Sequence, residues 1–213
     1  MSTSSIIIAP SILSADFGRL QQEVDSVEQH ADWLQVDVMD GHFVPNLSFG
    51  APVLRCIKTS LLIDVHLMVS NPEARIQEFI DAGAQHITFH AEAVPQRSDQ
   101  ERLVSIIRQH KCTAGIAINP ETHHDAIQTM DVDLVLCMTV HPGKGGQKFI
   151  ESVLPKIASI RSQHPHMMIQ VDGGIDAKTA AVCREAGANN LVSGSSIFSA
   201  ADRAAAIRSL RGL

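Results

Sequence analysis

A chain of 213 residues, 45% of them hydrophobic, is long enough for one full core, and residues 1–213 are read as a single domain. A formal charge of -6 with no basic cluster excludes a nucleic-acid surface. It does not exclude a phosphorylated small molecule, because backbone amides bind phosphate whatever the net charge.

The opening run, Met1 to Pro10, has no basic segment, and Pro10 interrupts its apolar stretch early. It is not expected to act as a signal peptide, and no later stretch is long enough to span a bilayer. Short apolar runs then begin near Ile6, Trp33, Leu62, His86, Thr113, Leu134, Met167 and Asn190. Rich in Val and Ile and bounded by Gly, they predict buried strands. Helical patterns lie between them. Phe17, Leu20, Val24 and Val27 recur at helical spacing. Ile76, Phe79 and Ile80 follow Ser70-Asn71-Pro72, a cap with Pro in the first turn. Leu103, Ile106 and Ile107 make a third face, and Ile150, Val153, Leu154, Ile157 and Ile160 a fourth. Ile207 and Leu210 belong to a last helix.

Two helix ends repeat a phrase: Asp81-Ala82-Gly83-Ala84 and Glu185-Ala186-Gly187-Ala188, each followed at once by a strand. A Gly just past a helix end is the expected chemistry of an αβ loop. About eight βα units with no low-complexity linker predict an α/β protein of the (β/α)8 TIM-barrel type. An open doubly wound sheet is the competing architecture, disfavoured by the lack of GxGxxG after the first strand.

Four cysteines, Cys56, Cys112, Cys137 and Cys183, form no CxxC. They read as thiols in a reducing compartment, which implies a cytoplasmic protein. His30, His110, His123, His124, His164 and His166 fall at helix ends or in polar loops, and read as surface groups without a role.

Strand mouths carry the chemistry. Trp33-Leu34-Gln35-Val36-Asp37 and Met168-Ile169-Gln170-Val171-Asp172 each end in a carboxylate, and Asp64-Val65-His66 carries an imidazole inside a strand. An ionised Asp at a buried strand mouth needs compensation by a cation, a proton or hydrogen bonds. In a barrel all three converge on one face. Asp37, His66 and Asp172 suit a divalent metal, and two carboxylates across a substrate also suit a two-base proton transfer. The loops His141–Gln147, Asp172-Gly173-Gly174 and Ser193-Gly194-Ser195-Ser196 follow strands six, seven and eight, the common phosphate-binding place in this fold. The first of them is also long enough to act as a lid. Met39, Met68 and Met138 sit near strand ends, as core filler or as an apolar floor that keeps a reacting centre dry.

These residues closely resemble the ribulose-phosphate 3-epimerase family along essentially the whole chain. The carriers are Ala9-Pro10-Ser11-Ile12-Leu13-Ser14-Ala15-Asp16, VDVMDGHFVPN (Val36 to Asn46), HLMV (His66 to Val69), the run from Met138 to Phe149, and VDGG (Val171 to Gly174). The resemblance implies an isomerase of the pentose phosphate pathway that interconverts D-ribulose 5-phosphate and D-xylulose 5-phosphate through a cis-enediolate. It implies Asp37 and Asp172 as paired acid/base residues and metal ligands, with His66 as a third ligand that also contacts substrate. It implies one divalent ion (Zn, Fe, Mn or Co) and a homo-oligomer. It further implies that Ser11, Gly143, Lys144, Gly145, Gly146, Gly173, Gly174, Gly194 and Ser195 hold the sugar phosphate.

Three positions depart from the family pattern. Gln35 stands where the family usually has a metal-binding His. As a fourth ligand it would offer a neutral, harder oxygen, which predicts weaker metal binding or a shift toward Mn²⁺- or Mg²⁺-like ions. Lys144 stands at a lid position that is usually Phe, where it is either a partner for phosphate or a solvated side chain. His141 replaces a residue that is often Asn or Glu. The alternatives are a related ketose-phosphate 3-epimerase, for example one acting on D-allulose 6-phosphate, and a sugar-phosphate-binding barrel that has lost its metal. A decarboxylase of the orotidine-monophosphate type is disfavoured, because Asp37-Val38-Met39-Asp40 has no Lys.

Overall fold

The computed structural model describes residues 6–127 and 130–213. The first half of the opening segment read against a signal peptide therefore lies outside the described residues. Eight strands form one parallel sheet: β1 (Ile7–Pro10), β2 (Trp33–Met39), β3 (Leu62–Met68), β4 (His86–His90), β5 (Thr113–Ile118), β6 (Leu134–Met138), β7 (Met168–Asp172) and β8 (Asn190–Ser193). Their order is β1-β8-β7-β6-β5-β4-β3-β2, with β1 beside β8 at one end and β2 at the other. The two ends meet. Ser11 bridges Gln35 in parallel, and the Asp32 N–H donates to the Ile8 carbonyl at 3.1 Å. The sheet is thus a single (β/α)8 barrel, as the alternation of periods predicts.

Helices α1 (Leu20–Glu28), α2 (Ala51–Leu54), α3 (Glu73–Ile80), α4 (Arg97–Gln109), α5 (Leu154–Gln163), α6 (Ala177–Ala186), α7 (Ser195–Phe198) and α8 (Arg203–Arg211) cover it. None is long and apolar enough to cross a membrane. Their inward stripes, such as Val24 and Val27, Ile76 and Phe79, and Leu103 and Ile107, join the outward faces of the strands in one continuous core. Burial of each such side chain contributes roughly 1.5–3 kcal/mol. The barrel interior is lined separately by Ala117, Leu134, Leu136, Met138 and Val140, with Trp33 and Met168 packed against them.

Helix ends follow the sequence rules closely. Gly187 closes α6 at φ 110°, a left-handed position, and a side chain there would meet the Arg161 stem at 2.6 Å. Asn71 Oδ1 accepts from the Ala74 N–H at 3.4 Å, so the polar residue before Pro72 does cap α3. Asp32 ties both ends of the chain to the barrel: its Oδ2 accepts from Ile8 N–H at 2.8 Å and from Arg211 at 2.9 Å.

Some expectations change. Phe17 lies in a 3₁₀ turn ahead of α1 and is 52% exposed, because the chain enters that helix only at Leu20. Val153 likewise ends a 3₁₀ turn before α5, and Ile150 precedes it. Between β5 and β6 the described residues hold one short 3₁₀ turn, His124–Ile127, in place of a full helix. Cys112, Cys137 and Cys183 are buried thiols, whereas Cys56 is exposed. Of the histidines read as surface groups, His124 and His164 are half-buried.

Candidate active site

A cavity of about 690 Å³ opens at the C-terminal ends of the strands. Ser11, Asp37 and Asp172 border it, as do Met39, Met68 and Met138. Its far side is made of loops: Gly143 to Gly146 after β6, Gly173 and Gly174 after β7, and Gly194 and Ser195 after β8. Strand alternation accounts for this convergence, since Asp37 and Met39, and likewise His66 and Met68, share the inward face of their strands.

Asp37, His66 and Asp172 form one cluster. Each offers an atom within 4.8 Å of the other two. His66 Nδ1 lies 3.0 Å from Asp37 Oδ1 and 3.7 Å from Asp172 Oδ2. Asp37 also accepts from the Ser11 hydroxyl at 2.5 Å and from the Gln35 amide at 3.4 Å. Asp172 is the more accessible acid, with 18% of its side chain exposed against 4% for Asp37. Its surroundings, followed by the negative charges of Asp37 and Asp64, hold its carboxyl well above the usual carboxylate range.

His66, expected to touch substrate as well as metal, is fully buried and does not border the cavity. Its ring lies behind the two carboxylates and stacks on His90 with centroids 5.0 Å apart. Gln35 is also fully buried, one residue layer below Asp37. Its amide N–H₂ faces Asp37, and its Oε1 has no hydrogen-bond partner among the described residues.

The loops brace one another. Asn46 donates to the Gly143 carbonyl at 2.6 Å, and Gln147 donates to the carbonyls of His141 and Lys144 at 2.6 and 2.9 Å. The Thr139 hydroxyl lies 2.9 and 2.7 Å from the carbonyls of Asp172 and Gly173 and shares its one hydrogen between them. Gly174, at φ 65°, lies so close to the 140s loop that a side chain would meet Phe149 N at 2.7 Å. Lys144 borders the cavity together with Lys148 and Lys178, and His141 reaches Glu121 at 3.5 Å on the exposed rim.

Several residues of the site escaped the sequence reading. Ser14 borders the cavity, close enough to Gly194 that a side chain on that glycine would meet its Oγ at 2.4 Å. Asp64, Gln170 and Asn190 form a polar layer beneath the cluster, where Gln170 donates to Asp64 Oδ2 at 2.6 Å. Burial, with the charge of Asp37 adding to it, raises Asp64 to about 7 despite that hydrogen bond. His90 and Glu92 lie behind His66. The motif Phe89-His90-Ala91-Glu92 at the mouth of β4 has the same strand-end signature as the residues that were found.

The chain matches the model of the ribulose-phosphate 3 epimerase family over residues 7–198. It is 45% identical to the ribulose-phosphate 3-epimerase of Bacillus subtilis (strain 168) over 217 residues, covering 97% of this chain and 99% of that protein. It is 48% identical to the protein of the same name from Treponema pallidum (strain Nichols), with 92% of each chain covered. Among solved structures it resembles 3-hexulose-6-phosphate synthase from Salmonella typhimurium, with a TM-score of 0.71, 18% identity and 97% of each chain covered. It also resembles orotidine 5'-monophosphate decarboxylase from Sulfolobus solfataricus, with a TM-score of 0.68, 12% identity, and 98% of this chain and 97% of that one covered. At those identities the two structures speak for the barrel alone. The family match over nearly the whole barrel, with relatives above 40% identity, means that this chain belongs to the ribulose-phosphate 3-epimerase family.

Proposed function

We propose that this protein interconverts D-ribulose 5-phosphate and D-xylulose 5-phosphate by moving a proton at C3 between two carboxyl groups. The observation that carries this reading is the unlike pair Asp37 and Asp172, both on the cavity wall and within 4.8 Å of a common imidazole nitrogen. Asp37 accepts hydrogen bonds from Ser11 and Gln35 and faces His66 Nδ1 at 3.0 Å, which suits a base. Asp172, raised by its surroundings and by two neighbouring carboxylates, suits an acid that still holds its proton. Two carboxyl groups in unlike surroundings are what two-base chemistry needs. Asp37 takes the C3 proton from one face, and Asp172 supplies one to the other.

The cluster fits a divalent cation. It offers one imidazole nitrogen and two carboxylate oxygens at close quarters, a mixed set suited to Zn²⁺, Fe²⁺, Mn²⁺ or Co²⁺. Gln35 Oε1 is a buried acceptor without a partner, and exchange of the two ends of that amide turns it toward Asp37. When bound, the cation supplies positive charge against the negative charge that builds on the substrate oxygens. The backbone N–H groups of Gly173, Gly174, Gly194 and Ser195 hold the phosphate, with Lys144 on the same wall. Met39, Met68 and Met138 exclude water from the reacting carbon.

A coupled assay with D-ribulose 5-phosphate and D-allulose 6-phosphate, before and after chelation, tests the reading. It predicts turnover of the pentose phosphate with the higher kcat/KM and a loss of rate on chelation. Preference for the hexose phosphate would overturn the substrate, and a rate indifferent to chelation would overturn the metal.

A further inference from the structure

Behind the cluster runs a line of polar contacts: part-buried Glu92, then buried His90 and His66, then the two carboxylates. Glu92 fixes its direction. Its Oε1 accepts from the Asn119 N–H at 2.8 Å and from the Thr122 hydroxyl, and its Oε2 faces His90 Nδ1 at 3.2 Å. Burial alone would raise this carboxyl. The hydrogen bonds from His90, Asn119 and Thr122 outweigh it and bring Glu92 to about 2. Glu92 is therefore an acceptor at both oxygens, and His90 Nδ1 must carry the hydrogen between them.

A neutral imidazole carries one N–H. His90 is fully buried with its two nitrogens facing Glu92 Oε2 and His66 Nε2, so its one N–H, on Nδ1, goes to Glu92. Its Nε2 is then a bare lone pair. The atom 2.9 Å away is His66 Nε2, which must donate. With that hydrogen on Nε2, the nitrogen His66 can offer a cation is Nδ1, 3.0 Å from Asp37 Oδ1 and 3.7 Å from Asp172 Oδ2. A point ringed by two carboxyl oxygens and an imidazole nitrogen suits a cation.

We propose that His90 and Glu92 are positioning residues that hold His66 in its Nε2–H form, so that its Nδ1 lone pair is aimed between Asp37 and Asp172 to bind a divalent cation. The proposal rests on the metal reading above. The clamp on Glu92 extends outward, because Lys156 donates to the Asn119 carbonyl at 2.7 Å and so fixes the loop that supplies the Asn119 N–H.

Glu92→Gln reverses the line without changing its shape. The Asn119 and Thr122 donors keep the amide oxygen, so the amide N–H₂ faces His90. The His90 hydrogen then moves to Nε2, His66 Nε2 must accept, and His66 Nδ1 gains the hydrogen that blocks the cation. The experiment combines calorimetric Mn²⁺ and Zn²⁺ titrations of wild type, Glu92→Gln and Glu92→Asp with ¹⁵N NMR of the imidazoles in the ¹¹³Cd²⁺-loaded wild type. The expected result is cadmium bound to His66 Nδ1 with hydrogen on His66 Nε2 and His90 Nδ1. Affinity should fall about tenfold to a hundredfold in Glu92→Gln and largely recover in Glu92→Asp. Hydrogen on His90 Nε2 in the wild type would overturn the proposal even if Glu92→Gln failed to fold. Equal cation affinity in wild type and Glu92→Gln would overturn it while leaving the metal reading intact. No cation binding by the wild type would overturn both.

Discussion

Asp37 and His66 face each other across neighbouring parallel strands, as register partners of β2 and β3, with Oδ1 and Nδ1 3.0 Å apart. The strand register therefore builds half of the site before any loop is ordered. Asp172 completes it from β7, which lies on the far side of the barrel from both strands in sheet order.

Asp37→Asn and Asp172→Asn each remove one proton carrier. Each is expected to cut kcat by about 10²–10⁴-fold while the fold is kept, as read by steady-state kinetics beside circular dichroism. A variant with less than a tenfold loss would remove that residue from the proton path.

Gln35→His exchanges a neutral oxygen donor for imidazole. The variant is expected to bind Zn²⁺ more tightly than wild type and to gain less for Mn²⁺. Elemental analysis and competitive chelator titration read the change. Equally tight zinc in both proteins would show that position 35 takes no part.

Asp64 gives the fold a pH dependence. Its carboxyl is raised to about 7, so the folded protein holds that proton more firmly than the unfolded chain. Stability from this group is present below the ordinary carboxylate range and is lost as pH rises toward about 7. His86 and His90, each lowered to about 4 chiefly by burial, act with the opposite sign over an overlapping range. The difference between wild type and Asp64→Asn isolates the carboxyl. In metal-free protein, Asp64→Asn is expected to gain Tm relative to wild type between pH 5 and pH 7.5. A constant difference across that range would contradict the prediction.

Gly174→Ala puts a side chain against the backbone of Phe149 and Gln147 at a positive φ. Strain of that kind costs about 1–3 kcal/mol, and the two phosphate-side loops must part to relieve it. KM for the sugar phosphate is expected to rise more than kcat falls. An unchanged KM would separate this contact from substrate binding.

The strands, the order of βα units and the three inward polar residues were legible because period and strand-end chemistry are local properties of a sequence. Trp33–Met39, with Gln35, Asp37 and Met39 on one face, needed nothing beyond alternation. Phe17 was misread because helical spacing does not reveal where a helix begins, and Asp16 starts a 3₁₀ turn there. His66 was expected to meet substrate, but its depth behind two carboxylates depends on β7, more than 100 residues away. His90 and Glu92 were missed for a related reason. Their importance lies in a bond to a neighbouring strand, and no spacing along one strand encodes that.

The account turns on two opposed acids acting on one carbon, and the early time course of isotope uptake in D₂O tests this most directly. With D-ribulose 5-phosphate as substrate, product D-xylulose 5-phosphate should carry deuterium at C3, while remaining substrate keeps its protium, because reversal returns the proton held on Asp37. Deuterium entering both epimers at equal rates from the first turnovers, or neither, would contradict it.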